Sequence, residues 1–197
     1  MFDLDDFFTD NIEYLTAESE AALICNDCLG CTNCCRELSA AIRLDSWDIA
    51  MLKKGLGRSF DELISDGCIS IITEDGAALP IFANKPDKKE CVFLNENCRC
   101  GIHPYRAGIC RMYPLARMWH DDNTFSYYLQ KGECPNLTGE KIQIAVWLGY
   151  PDTESYEQEI TAYHARLKKY RRACRLCTDE TERKALHEAF FDSNFRI

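Results

Sequence analysis

Five thiols fall within the eleven residues Cys25-Asn-Asp-Cys28-Leu-Gly-Cys31-Thr-Asn-Cys34-Cys35. A thiolate is a soft ligand that suits zinc, cuprous copper or iron–sulfur centres. The Asn, Asp, Gly and Thr spacers are turn formers, so the stretch predicts a tight loop that aims several sulfurs at one place. Each C-x2-C unit lets two sulfurs reach one metal across a single turn, and overlapping units extend that reach. Cysteine repeated at fixed spacing in polar turns is a metal pattern in preference to a set of disulfides or buried structural thiols.

A second group follows: Cys91-Val-Phe-Leu94, then Cys98-Arg-Cys100-Gly-Ile-His103-Pro104, then Tyr105-Arg106-Ala-Gly-Ile-Cys110-Arg111-Met-Tyr-Pro114, with Cys134-Pro135 closing the cysteine-rich half. Two half-sites stand out, Cys28, Cys31, Cys34 and Cys35 in one and Cys91, Cys100, Cys110 and Cys134 in the other. Adjacent Cys34 and Cys35 are expected to point apart, so that one turns to a different centre or bridges. That mixing predicts ligands shared between the groups, with the loop at 25–35 packed against the segment at 91–110. A metal held by partners so distant in sequence is a clip between two layers of the fold, and its binding free energy becomes folding free energy.

Zinc and iron–sulfur both remain open. Zinc accepts four thiolates in structural sites but commonly takes His too, and no His lies in the first group. The run Cys25-x2-Cys28-x2-Cys31-x2-Cys34 approaches the ferredoxin spacing C-x2-C-x2-C-x3-C-P, with the last interval one residue short and the trailing proline missing. All-sulfur ligation with thiols to spare leans toward iron–sulfur.

Together these motifs resemble the YkgJ-like cysteine-cluster family, whose CxxCxxCC domain is described as zinc- or iron-chelating and has a relative in flagellin lysine N-methylases. The resemblance spans about residues 25–135, and the helix opened by Leu44-Asp-Ser-Trp-Asp-Ile49 also looks like the one that follows the motif in that family. It implies Cys28, Cys31, Cys34, Cys35, Cys91, Cys100 and Cys110 as ligands, with Cys134 as an eighth. Ala107 stands where the family usually has Pro. Cys25, Cys68, Cys98, Cys174 and Cys177 lie outside the shared pattern, and of these Cys25 and Cys98 are possible additional ligands.

Arg106 and Arg111 can donate hydrogen bonds to anionic sulfur and hold the loop beside a metal. The alternatives are ordinary surface ion pairs, or a grip on a carboxylate substrate. His103 is read as a hydrogen-bonded residue beside the site, with ligation or acid–base work as the alternative. His120 in a turn, and His164 and His187 on helices, have surface or partner roles by default. The basic run Arg166–Arg175 reads as a solvated helix face, and Cys174-x2-Cys177 ends a helix instead of opening one as a thioredoxin-like pair does.

The elements that must position these groups can be read in outline. Phe2, Phe7, Phe8, Ile12, Leu15, Ala22 and Leu23 suggest an amphipathic helix over 1–24. Ile42-Arg-Leu44 is a short extended piece before a helix capped by Asp45 or Ser46, which brings Ile49 and Leu52 inward and stops at Gly55. Ser59-x2-Glu62 is a capping box for a short helix ending near Gly67. Asp75-Gly76 turns a hairpin between Ile69–Ile72 and Ala77–Phe82, and His120–Asn123 turns another between Leu115–Trp119 and Phe125–Gln130. Helices are expected at Ile142–Gly149, Asp152–Leu176 and Asp179–Phe191, the second with Tyr156, Ile160, Tyr163, Leu167 and Tyr170 on one side.

The fold class is therefore α+β: a small, irregular cysteine-rich core at 25–135 with short strands and hairpins, wrapped by helices from 1–24 and 138–197. The 197 residues carry a formal charge of −9, which argues against a nucleic-acid or anionic-membrane binder. Neither a signal peptide nor a membrane span is expected, since Met1–Phe8 has no basic n-region and no run approaches the ~18 apolar residues of a span. The expected compartment is the reducing cytoplasm, where thirteen cysteines are better explained by metal than by disulfides. Three functions fit: a zinc or iron–sulfur binding module, an iron–sulfur enzyme of electron or methyl transfer on the methylase analogy, or a thiol redox sensor. No phosphate loop, nucleophile elbow or catalytic carboxylate pair is evident, so the spacing leaves enzymatic activity undecided.

Overall fold

Short-range capping and turn signals account for most of the elements. The computed structural model of the chain describes residues 13–25, 32–36 and 42–197. In chain order the elements are β1 (Glu20–Ala21), α1 (Asn33–Arg36), α2 (Ser46–Leu56), α3 (Phe60–Ser65), β2 (Ile69–Glu74), β3 (Ala77–Phe82), a 3-10 turn (His103–Tyr105), α4 (Gly108–Met112), β4 (Leu115–Trp119), β5 (Phe125–Leu129), β6 (Ile142–Gln143), α5 (Ile144–Leu148), α6 (Thr153–Leu176) and α7 (Glu180–Asn194). The strands form three antiparallel pairs, β1–β6, β2–β3 and β4–β5. With its helices and small antiparallel pairs, the protein is α+β. The chain divides into two compact units, Met1–Leu29 with Arg111–Thr153 and Gly30–Cys110 with Glu154–Ile197.

In the larger unit, Asp45 caps α2 by accepting from the Asp48 amide at 2.8 Å, while the Asp48 carboxylate accepts from the Asp45 amide at 3.2 Å. Ser59 and Glu62 cap α3 in the same reciprocal way. Helix α2 does not stop at Gly55: it runs to Leu56 and closes at Gly57, whose φ of 63° supplies the left-handed cap. Gly55 serves packing instead, because a Cβ there would collide with the Tyr105 ring.

The β2–β3 hairpin turns at Asp75 and Gly76, both with positive φ (51° and 79°), as a two-residue hairpin loop demands. The extended piece at 42–44 lies along β3, with the Leu44 amide donating to the Pro80 carbonyl at 2.9 Å. Strand β3 is thus covered on both edges and is buried along its whole length. Helix α6 buries Tyr156, Ile160, Tyr163 and Tyr170, and the Tyr170 hydroxyl bonds both backbone groups of Ala78 in β3. Beneath α6 and α7, Phe60, Phe190, Phe191 and Phe195 join Tyr163 and Tyr170 in one aromatic block, with Tyr170 and Phe190 stacked at 4.0 Å. Three basic residues of the run on α6 are paired: Arg166 with Glu159, Arg171 with Glu74 and Arg175 with Asp75.

In the smaller unit, the helix expected over 1–24 does not reach 13–24, which is turn and extended chain; its earlier part lies outside the described residues. Leu15 bridges Tyr127, and Ala21 pairs with Ile142. These long-range partners take up the backbone groups that a helix would have bonded internally. The β4–β5 hairpin runs in register from Leu115 opposite Leu129 to Trp119 opposite Phe125. Leu15, Leu23, Tyr127, Ile144 and Leu148 supply its core. Among the described residues, no helix is long and apolar enough to cross a membrane.

Candidate metal centre

The last two cysteines of the first group sit in α1, a single turn closed by the Cys35 and Arg36 amides donating to the Thr32 carbonyl. The neighbouring Cys35 first, then burial, hold the Cys34 thiol far above its ordinary range, against a smaller opposing pull from Arg106.

The second group meets this turn through the backbone. The Cys91 amide donates to the Cys35 carbonyl at 2.8 Å, while the Val92 amide donates back to Ala83 just beyond β3. Cys91 is buried, and that burial, with smaller contributions from Cys100 and Cys34, pushes its thiol up to about 11. From there the chain doubles back. Leu94 bridges Cys100, and the Asn95 side chain accepts from the Asn97 and Arg99 amides at 3.0 and 2.9 Å to close the turn. Cys98 lies within that turn at a positive φ of 56°, and Cys100 follows it back toward Cys91.

Cys100 is raised chiefly by burial, with Arg106 pulling down and Cys34 pushing up. Cys110, in the first turn of α4, is raised well above its ordinary value by burial, then by Asp48, Cys34, Cys91 and Cys100. The thiols of Cys34, Cys91, Cys100 and Cys110 therefore lie within electrostatic reach of one another in a single unit, and Cys35 adjoins the first of them. All five are free thiols. Among the described residues, no group of three or more His, Cys, Asp or Glu side chains stands in ready metal-holding geometry. Cys28 and Cys31 lie outside the described residues. The donors nevertheless fit a thiophilic metal in kind: they are sulfur, unpaired in disulfides and gathered from distant parts of the chain.

Arg106 acts on both Cys34 and Cys100, and its Nη1 donates to the His103 carbonyl at 3.0 Å while lying 2.7 Å from His103 Nε2. His103 is exposed in the 3-10 turn and its ring is engaged by that guanidinium. Asp48 is the neighbour that the cysteine spacing does not reveal. The sequence gives it only a place in the first turn of α2, yet it is 2 % exposed, accepts from the Gly108 amide at 2.7 Å and bears on Cys110.

The remaining candidates fall in the smaller unit or away from the thiols. Cys25 bridges Leu137, three residues beyond Cys134, so these two share the smaller unit. Arg111, also in that unit, lays its guanidinium 4.8 Å from the Tyr150 ring centroid and donates to the Leu148 carbonyl. Cys68 packs at the edge of the hydrocarbon core with its thiol raised by burial. Cys174 is buried near the end of α6, and the Cys177 thiol donates to the Asp179 carbonyl at 3.2 Å.

A protein-family model, CxxCxxCC, with the description "Putative zinc- or iron-chelating domain", matches residues 27–135, more than half of the chain. The chain belongs to this family of metal-chelating domains, in agreement with the resemblance carried by its cysteine motifs. No curated protein and no solved structure matches it.

Proposed function

We propose that this protein binds an iron–sulfur centre, or zinc, through the thiolates of Cys34, Cys35, Cys91, Cys100 and Cys110; Cys28, Cys31 and Cys134 are further donors proposed from the cysteine pattern of the sequence alone. The observation that carries this reading is the mutual electrostatic influence of Cys34, Cys91, Cys100 and Cys110, thiols up to 76 positions apart in sequence. Buried neutral thiols gain little from each other's company, whereas a cation converts the same set into stabilising thiolate ligands. A single tetrahedral zinc uses four sulfurs, and the surplus supports iron–sulfur over one zinc ion. Cys25 and Cys98 are reserve donors. Arg106 supplies positive charge beside the sulfurs, a role that offsets the anionic character of a thiolate-bound centre. A reducing, cytoplasmic setting belongs to the same reading, since thiols kept for a metal must be kept from pairing.

The test is elemental analysis for iron, zinc and sulfide on protein purified without oxygen, together with Mössbauer or EPR spectroscopy. Stoichiometric iron with sulfide and visible absorption is the expected result, and tightly held zinc in a colourless protein selects the other metal. Cys110→Ser should lower the metal content. A metal-free wild-type chain with reversible disulfides among these cysteines overturns the reading.

A further inference from the structure

Helix α2 touches the segment carrying Cys100 and Cys110 at two separate points. At its N-terminus, Asp48 is 2 % exposed and uses its carboxylate in two directions: one oxygen accepts from the Asp45 amide inside the capping box, the other from the Gly108 amide at 2.7 Å, two residues before Cys110. At the C-terminal end of the helix, the bare Cα of Gly55 receives the Tyr105 ring, which any Cβ would strike. The intervening Ala107 is fully buried. A carboxylate at N3 suffices to cap a helix from the surface. Burying it and pointing its second oxygen at a loop amide is additional construction, and a buried charge persists only where hydrogen bonds hold it.

We infer that Asp48 and Gly55 are positioning residues for the metal centre: α2 is a rigid bed that fixes the 105–110 turn, and with it Cys110, in the orientation that ligation requires. The inference rests on the metal-binding reading above. Outer partners that hold ligand-bearing backbone are worth about 10- to 100-fold in metal affinity.

The experiment follows iron and zinc released to a chelator from the full chain purified without oxygen. Asp48→Ala should release metal about 10- to 100-fold more readily than wild type. Asp48→Asn keeps an oxygen that can accept from Gly108 and should restore most of the retention. Asp45→Ala breaks the same capping box without touching Gly108, so it should weaken the helix and leave retention near wild type. Gly55→Ala raises intrinsic helix propensity and should nonetheless speed release by displacing Tyr105. A second readout needs no metal: in the stripped chain, alkylation of Cys110 read by mass spectrometry should accelerate in Asp48→Ala and Gly55→Ala but not in Asp45→Ala. Equal loss of metal in Asp48→Ala and Asp45→Ala, or wild-type retention in Asp48→Ala, overturns the inference. A wild-type chain that holds no metal overturns the metal reading instead, and the alkylation comparison then decides the positioning role alone.

Discussion

Two regions of the larger unit are built on opposite principles. Under α6 and α7 the aromatic block closes on itself: Phe60 is fully buried, meets Phe191 edge-on at 5.5 Å and Phe195 at 5.0 Å, and every contact replaces water by hydrocarbon. Between α1 and α4 the chain gathers thiols instead, on turns held by hydrogen bonds such as those from the Cys91 amide to the Cys35 carbonyl and from the Gly108 amide to the Asp48 carboxylate. Burial and mutual repulsion raise Cys91, Cys100 and Cys110, and Cys34 is raised first by its neighbour Cys35, so the arrangement resists ionisation. One region packs on itself; the other, on the function proposed above, is completed by a metal. Stability in this protein is local in origin, and the two regions should answer differently to the same perturbation.

The largest difference is expected on stripping the metal from the purified protein with a chelator. Because metal binding free energy is folding free energy at such sites, the thiol region should lose on the order of several kcal/mol. Hydrogen exchange should show amides of 85–110 losing protection while those of 156–195 keep theirs. Equal loss in both would erase the distinction. The converse perturbation is Phe60→Ala, which removes a fully buried ring and should cost about 3–5 kcal/mol in urea unfolding. Metal per folded molecule should stay at the wild-type value in that variant. A parallel fall in metal content would show that the aromatic block supports the site directly.

The same contrast explains what was legible from residues alone. The aromatic block and its helices are local grammar: Ser59 and Glu62 announce α3, Asp75-Gly76 announces the hairpin, and Tyr156, Ile160, Tyr163 and Tyr170 repeat at helical spacing. Cysteine spacing reveals which thiols could share a metal, since the pattern repeats on turn-forming spacers. It does not reveal what holds them. Asp48 looks like an ordinary N3 residue because its second bond goes to Gly108, 60 positions away. Gly55 looks like a helix stop because nothing nearby in sequence tells of Tyr105. Apolar residues over 13–24 look helical because periodicity is silent about Tyr127 and Ile142, the partners that draw the chain out. Legibility fails wherever the deciding contact is distant.

Alkaline pH gives a smaller and more selective version of the metal experiment. The fold raises the Cys91 thiol from an ordinary value of 9.0 to about 11. Between those values the unfolded chain has already lost a proton that the folded chain keeps, so the native state of the stripped protein is disfavoured as pH rises. Its contribution is complete below about pH 9 and is lost as pH climbs through about 11, at about 1.4 kcal/mol per pH unit of difference, or roughly 2–3 kcal/mol from this thiol. With metal bound the sign reverses at the acid end, because protons compete for thiolate ligands and metal is released as pH falls. Urea midpoints of stripped and loaded protein should therefore draw apart as pH rises from the acid release point, and separate most above about pH 11, where the stripped chain has lost this contribution. A stripped chain whose midpoint is flat from pH 8 to pH 11 would remove Cys91 from a buried, protonated environment.

The smallest effect tests the self-sufficient side of the comparison. In α3 the Ser59 hydroxyl accepts from the Glu62 amide at 3.2 Å, and the Glu62 carboxylate accepts from the Ser59 amide at 2.7 Å. Both residues are exposed, so Ser59→Ala removes a cap without opening a cavity, and it should cost about 1 kcal/mol. The loss should appear equally in loaded and stripped protein, because α3 packs Phe60 and Leu63 into hydrocarbon and makes no hydrogen bond to the 91–110 turns. An effect of Ser59→Ala that depends on metal loading would show that the two regions share stability through α3. The two regions would then differ in chemistry without differing in energetics.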